Sequence, residues 1–231
     1  MQNNEDKQQK FIGDEQQIPA RDAALAPLKL AAMSGNAAAQ VEYAQTLHQS
    51  FDDAAAAFPW MERAASQKNV DGMYGLALFL HNGWGCTPDQ ERSLALMRAA
   101  AEAGHVWAQF DVGLYYMKGY GCQPDMAQAL EWISKAAQDG LASAQYELGV
   151  LYLNGEGVAQ DFKQSIAWFL KAAEQSNTDA IFYLGAAFYD GLGVEKDPVR
   201  GLSIMRDALE AGSTVAQRYI HKFEERSSTP S

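Results

Sequence analysis

The sequence predicts an all-α protein, a solenoid of helical hairpins, and three observations carry that expectation. A Gly-x-Gly triplet recurs as Gly83-Trp84-Gly85, Gly119-Tyr120-Gly121, Gly155-Glu156-Gly157 and Gly191-Leu192-Gly193, each 36 residues after the one before. An aspartate keeps the same step (Asp89, Asp125, Asp161, Asp197), and so does an alanine (Ala100, Ala136, Ala172, Ala208). Self-similarity at a fixed period of this length is the mark of stacked helical or mixed repeats.

Within one unit the elements follow from spacing. Between Ser143 and Leu153 the apolar residues Ala144, Leu148, Val150 and Leu151 recur at helical intervals. Asn154-Gly155-Glu156-Gly157 then supplies the positive φ that ends a helix and turns the chain. Asp161 with Gln164, like Asp125 with Gln128, has the pattern of a capping box opening a second helix. Pro198 stands directly after Asp197, at the first helical position, where its missing N–H is harmless. The second helix, Phe162 to Glu174, carries Ile166, Phe169, Leu170 and Ala173 on one side. Gly113, Gly149 and Gly185 in the first helices, with the alanines at 99–101, 136–137 and 172–173 in the second, predict close helix contacts. Glycine inside a helix costs about 1 kcal/mol against alanine, so its periodic use implies a packing need.

The expected units are 38–70, 71–106, 107–142, 143–178 and 179–214, inside a solenoid spanning 19–226. The first is three residues short in its middle loop, Gln49 to Asp53, and lacks the Gly-x-Gly. Leu28 to Gly35 reads as the second half of a unit and Val215 to Glu225 as a first half, as expected of caps on an exposed core face. Residues 1–18 read as a disordered segment and 227–231 as a flexible, frayed tail.

Of the 231 residues, 48% are hydrophobic and 20% charged, a globular composition. The formal net charge of −11 argues against general affinity for nucleic acid or anionic lipid. Met1 to Gln17 has no apolar run fit for a signal peptide, and no stretch approaches the roughly 20 apolar residues of a membrane span. A cytoplasmic protein without membrane insertion is expected, and the two cysteines fit a reducing compartment.

The run from Ser143 to Val158, with Asp161 and the pair Ala172-Ala173 after it, resembles the Sel-one-like repeat (SLR), a relative of the tetratricopeptide repeat. The resemblance covers roughly Leu25 to Glu225. It implies a right-handed α-α superhelix whose concave side is lined by the first helix of each hairpin. It also implies a non-enzymatic adaptor or scaffold of the kind found in bacterial signalling, stress and host-interaction systems. The partner expected is a protein or peptide.

By that resemblance the groove positions are Tyr74, His81 and Asn82; Trp107, Phe110, Asp111, Met117 and Lys118; Tyr146, Glu147 and Asn154; and Phe182, Tyr183, Tyr189 and Asp190. Aromatic rings supply contact area at low entropic cost. Tyr74, Phe110, Tyr146 and Phe182 fall where the family favours an aromatic, so core packing competes with contact there. Trp107, Met117, Lys118 and Asp190 vary between units and are the stronger contact candidates. Glu42, Asp71, Asp111, Glu147, Asp179 and Asp190 outnumber Lys118 and Arg218, which suits a basic or amphipathic partner segment, or equally a solvated surface. Trp84 and Tyr120 either form an aromatic rim or pack onto the next hairpin.

Cys86 and Cys122 hold one unit position, but equivalent helices about 8–10 Å apart exceed the roughly 4.4–6.8 Å Cα spacing of a disulfide. His48 and His81 share another position and point to the groove together, yet no spacing supplies the three or four ligands of a zinc site. No cofactor is expected. No phosphate-binding loop, His-Glu-x-x-His or Gly-x-Ser-x-Gly occurs, and the Gly-x-Gly elements lack the preceding strand of a dinucleotide site. Two other functions stay open: an immunity or inhibitor protein that sequesters a toxic enzyme, and a peptidoglycan- or β-lactam-related enzyme, for which no nucleophile and base are visible.

Overall fold

The computed structural model describes residues 23–228, and every regular element among them is an α-helix. In chain order these are α1 (23–33), α2 (Ala37–Phe51), α3 (Ala54–Ser66), α4 (Val70–Asn82), α5 (Gln90–Glu102) and α6 (Val106–Lys118). They continue with α7 (Met126–Gln138), α8 (Ala142–Asn154), α9 (Phe162–Glu174), α10 (Thr178–Asp190), α11 (Pro198–Glu210) and α12 (Thr214–Ser228). Even-numbered helices are the first arms of hairpins and odd-numbered ones the second. Two compact units divide the chain at His105 and Val106. In the first unit α2 packs on α3, α3 on α4 and α4 on α5, with α2 also touching α4. In the second, each helix from α6 to α12 packs on the next, and α10 also touches α12.

Each long turn is built from the same two residues. The glycine that follows the first arm adopts left-handed backbone, with φ of +73° at Gly83, +75° at Gly119 and Gly155, and +77° at Gly191. Its N–H and the next donate to one carbonyl, as Gly83 and Trp84 do to Phe79 at 2.8 and 3.0 Å. The aspartate then caps the second arm. Asp161, for example, accepts from the N–H groups of Lys163 and Gln164 at 2.9 and 3.1 Å.

The reciprocal half of the expected capping box does not form. The N–H groups of Asp89, Asp125, Asp161 and Asp197 donate instead to Leu80, Tyr116, Tyr152 and Phe188 in the first arm, at 2.7–3.0 Å. The Gln128 amide turns away to Glu131. The cap therefore fastens the two arms together as well as starting the second.

Three boundary details differ from the sequence reading. Helix α2 runs through Phe51, so the loop expected at Gln49 to Asp53 shrinks to Asp52 and Asp53. Asp52 takes the left-handed position at φ +52°, and Asp53 caps α3 by accepting from Ala56. At the other end α12 continues through Ser228, and the Ser227 hydroxyl lies 3.0 Å from the Tyr189 hydroxyl. The expected N-terminal segment 1–18 and the last three residues lie outside the described residues.

The arms meet at small residues. A Cβ on Gly113 would come within 2.5 Å of Ile133, one on Gly149 within 2.7 Å of Phe169 and one on Gly185 within 2.7 Å of Met205. Ser165 on the facing arm donates its hydroxyl to the Gly149 carbonyl at 2.8 Å, and Ser93 does the same to Ala77 at 2.7 Å. Ala100, Ala136, Ala137, Ala172 and Ala208 are buried as the period requires.

Candidate functional site

One stripe of each first arm in the second unit stays at least partly exposed, Phe182 apart, and the helical spacing i, i+3, i+4, i+7, i+11 defines it. In the second unit the stripe reads Trp107, Phe110, Asp111, Leu114 and Lys118 on α6; Ser143, Tyr146, Glu147, Val150 and Asn154 on α8. On α10 and α12 it continues with Asp179, Phe182, Tyr183, Ala186 and Asp190, then Val215, Arg218, Tyr219, Lys222 and Arg226.

Exposure along this stripe is uneven. Trp107 is 50% exposed and Tyr219 42%. Phe110 and Met117 are half-buried against the cluster of Ala144, Leu148 and Leu151. Tyr146 and Tyr183 are half-buried and their rings meet at 5.9 Å. Tyr183 stacks on Phe169 at 5.0 Å, nearly parallel. The Tyr146 hydroxyl donates to Tyr183; burial first, then the charges of Tyr183, Asp179 and Glu147, pushes its pKa up.

Phe182 and Tyr189 are removed from the surface. Phe182 is 3% exposed and Tyr189 6%, and both rings meet Phe223 of α12 edge-on, at 5.9 and 5.1 Å. The Tyr189 hydroxyl donates to the Phe223 carbonyl at 3.2 Å. Their large rings fill the joint between α10 and α12, so they support the stripe and offer it no contact area.

The carboxylates divide by role. Asp179 accepts from the Ser213 hydroxyl at 2.6 Å, the Thr214 hydroxyl at 3.1 Å and the Val215 N–H at 3.1 Å, so it holds the start of α12. Burial alone would raise its pKa, but these hydrogen bonds bring it below the usual value. Asp190 is ion-paired with Arg226 at 2.7 Å, and that guanidinium lies over the Tyr189 ring. Glu147 is different: burial raises its pKa, against a smaller opposing pull from Lys118. No ion pair closes on Glu147 among the described residues. Asn154 donates to Glu156 at 2.9 Å, and Lys118 is exposed.

In the first unit the expected residues are drawn into local contacts. Tyr74 stacks on His105 at 4.2 Å, and His105 lies 3.6 Å from Asp71; burial lowers the His105 pKa more than Asp71 raises it. His81 Nδ1 lies 2.8 Å from Gln90 Oε1, while the Gln90 amide donates to the His81 carbonyl, clipping α4 to α5. Asn82 is exposed and donates to Leu78. His48 packs against the hairpin that follows its own. It sits 4.4 Å from the Trp84 ring and 5.1 Å from Phe79, so Trp84 packs inward and forms no rim. Tyr120 is 42% exposed and rests edge-on against Tyr115. Cys86 and Cys122 are free thiols, each raised in pKa, chiefly by burial.

Two features were missed from sequence. One is Asp179 as a cap reaching from α10 to α12, which the Ser213-Thr214 pair 34 and 35 residues later could have signalled. The other is a buried amide relay. Gln145 donates to the Ala137 carbonyl and accepts from Gln175; Gln40 likewise donates to Ala32 and accepts from Gln67. Gln109 occupies the same place, but its Oε1 is buried without a partner among the described residues. In the register of Gln175 its hairpin carries Asp139.

No group of His, Cys, Asp or Glu among the described residues is placed to hold a metal ion, and no helix is long and apolar enough to cross a membrane. Stacked helical hairpins with a glycine-and-aspartate turn and an uncovered first-arm stripe define a class of repeat protein. The Sel1 repeat model matches five times, at 37–69, 70–105, 108–141, 142–177 and 178–213, and the chain belongs to that family. Sel1 repeats commonly build protein-interaction scaffolds. Among solved structures, the chain is similar to a protective antigen of uropathogenic Escherichia coli with an SLR fold, at 33% identity and a TM-score of 0.79. That match covers 85% of this chain and 43% of the antigen, so the chain spans less than half of that relative's length. A Sel1 repeat protein of Oxalobacter formigenes matches at 25% identity and a TM-score of 0.73, over 79% of this chain and 76% of its own. A Klebsiella pneumoniae relative shares the fold at 22% identity and a TM-score of 0.56, over 86% of this chain and 98% of its own. No curated protein matches the chain.

Proposed function

We propose that this chain is a protein-binding adaptor that holds a segment of a partner on the first-arm stripe of its second unit. The observation that carries the reading is the half-exposed indole of Trp107, at one end of a stripe whose aromatic members continue through Tyr146 and Tyr183 to the exposed Tyr219. Rings left partly wet beside half-buried ones give large contact area with little side-chain entropy to lose. Glu147 and the net charge of −11 favour a partner segment that is basic or amphipathic. Asp190 contributes less to recognition than its sequence position suggests, because Arg226 already occupies it.

The test is affinity capture from the source cell's lysate with quantitative mass spectrometry, using wild type and a Trp107→Ala, Tyr219→Ala double variant. Both side chains are exposed, so the variant keeps its melting temperature. A protein retained by wild type and lost by the folded variant supports the adaptor reading. Identical capture by both would sink it.

A further inference from the structure

Between α8, α9 and α10 lies an apolar cavity of about 100 Å³ that opens to solvent. Its wall includes Leu153, Phe169, Tyr183, Ala186, Ala187 and Leu192. The repeat explains why it exists. Where α10 has Ala186-Ala187, the earlier first arms have Leu78-Phe79, Leu114-Tyr115 and Val150-Leu151. Where the turn has Leu192, the first two have Trp84 and Tyr120. Phe79 meets Trp84 edge-on at 5.5 Å, and Tyr115 meets Tyr120 at 5.6 Å. Ala187 and Leu192 are too short to fill the same space.

The two polar side chains in the wall are already used. The Ser165 hydroxyl donates to Gly149, and the Tyr183 hydroxyl accepts from Tyr146. An occupant therefore finds only apolar surface. The volume is smaller than the roughly 150 Å³ of an apolar cavity that takes benzene, which suits a branched aliphatic or thioether side chain better than an aromatic ring. Glu147 holds on α8 the register that Tyr183 holds on α10, and Asp179 lies one turn before Tyr183, which places two carboxylates beside this residue of the wall. Asp179 is committed to α12, whereas Glu147 is partly desolvated and has no ion-pair partner among the described residues.

Resting on the adaptor reading, we infer that this cavity receives a leucine, isoleucine or methionine side chain of the partner segment, with a neighbouring lysine or arginine against Glu147. Ala186 and Ala187 are thus specificity positions, since enlarging either closes the cavity.

The test uses the full chain with labelled alanine methyl groups and the blocked tripeptides acetyl-Lys-Leu-Lys-amide, acetyl-Lys-Ala-Lys-amide and acetyl-Ser-Leu-Ser-amide, read by NMR at Ala186 and Ala187. The Lys-Leu-Lys peptide is expected to shift these methyls saturably and to bind roughly fiftyfold more tightly than Lys-Ala-Lys, from the three extra carbons buried. Ser-Leu-Ser binds more weakly than Lys-Leu-Lys, and Glu147→Gln removes that difference. Ala187→Leu, the residue this register carries as Leu151, abolishes the response at Ala186 with no fall in melting temperature. Ala186→Val serves in its place should that variant not fold. Equal binding of the leucine and alanine peptides, no saturable shift, or a response that survives the filled cavity overturns the inference. Loss of a lysate partner from the Trp107 variant beside a silent leucine peptide would remove this inference and leave the adaptor reading. A leucine response with unchanged capture would remove Trp107 from the adaptor reading and leave the cavity as a site for an aliphatic side chain.

Discussion

Gly83 and Gly191 hold the same left-handed backbone, φ +73° and +77°, and each turn ends on an aspartate that caps the next helix and bonds back to the first arm. What surrounds those turns is not the same. After α4, Phe79, Trp84 and His48 close on one another with ring centroids 4.4–5.5 Å apart. After α10, Ala187 and Leu192 leave a cavity. The backbone of the repeat is thus insulated from its side chains: glycine, aspartate and alanine build the hairpin, while a few other positions decide whether its first-arm face is filled or open. Turn geometry is shared, and recognition is local.

The largest effect should come from testing how tightly each turn is packed. Gly85 and Gly157 both have positive φ, but a Cβ on Gly85 would lie 2.3 Å from the Ala54 carbonyl oxygen, whereas one on Gly157 meets nothing nearer than 3.4 Å. Gly85→Ala should destabilise by about 3 kcal/mol or more in urea unfolding, and Gly157→Ala by only the left-handed penalty of about 1 kcal/mol. Equal losses would show that space around the turn is irrelevant.

Phe79→Ala tests the filled side directly. Removing a 3% exposed ring that touches Trp84 and His48 should cost about 3 kcal/mol through the cavity left behind. A loss under about 1 kcal/mol would mean the first unit relaxes into the gap.

A smaller effect sharpens the comparison between hairpins. Gln145 is satisfied by Gln175, but in the hairpin of Gln109 the register of Gln175 holds Asp139, which when ionised has no proton to donate. Asp139→Gln should stabilise by about 1 kcal/mol, and the same change should have no effect in a Gln109→Leu background. Unchanged stability in the wild-type background would place another donor on Gln109.

The smallest effects are in the pH dependence, and their signs oppose. Burial raises the folded-state pKa of Glu147, so the stability tied to its protonated form is present below the unfolded value and lost as pH rises through the folded one. Glu147→Gln should therefore raise the melting temperature at neutral pH, and the gain should vanish below about pH 4. For Asp179 the folded-state pKa is lowered, so its stabilisation is present above the unfolded value and lost as pH falls through the folded one. Asp179→Ala should lower the melting temperature most at neutral pH and progressively less in acid. Shifts of the same sign in both variants would contradict the assigned causes.

Much of the fold was legible because it rests on local rules. Gly83, Gly119, Gly155 and Gly191 need positive φ, and Asp89, Asp125, Asp161 and Asp197 need only their own backbone neighbours to cap a helix. A 36-residue period repeats those rules until the hairpins are unmistakable. The candidate stripe was legible only as spacing. Phe182 and Tyr183 are adjacent, yet one is buried against Phe223 and the other stacks half-exposed on Phe169, since successive residues on a helix point about 100° apart.

The amino-acid sequence by itself determined the helix order, the turns, the caps and the small-residue contacts, because each depends on residues within a few positions or on a repeated register. Tertiary structure alone decided the rest. It committed Asp179 to α12 and Asp190 to Arg226, left Glu147 without an ion pair and Gln109 Oε1 without a partner among the described residues, and opened a cavity beside Ala186 and Ala187. These are outcomes of side-chain volume and partner geometry across 30 or more residues in several cases, where the identity of a residue does not say what stands opposite it.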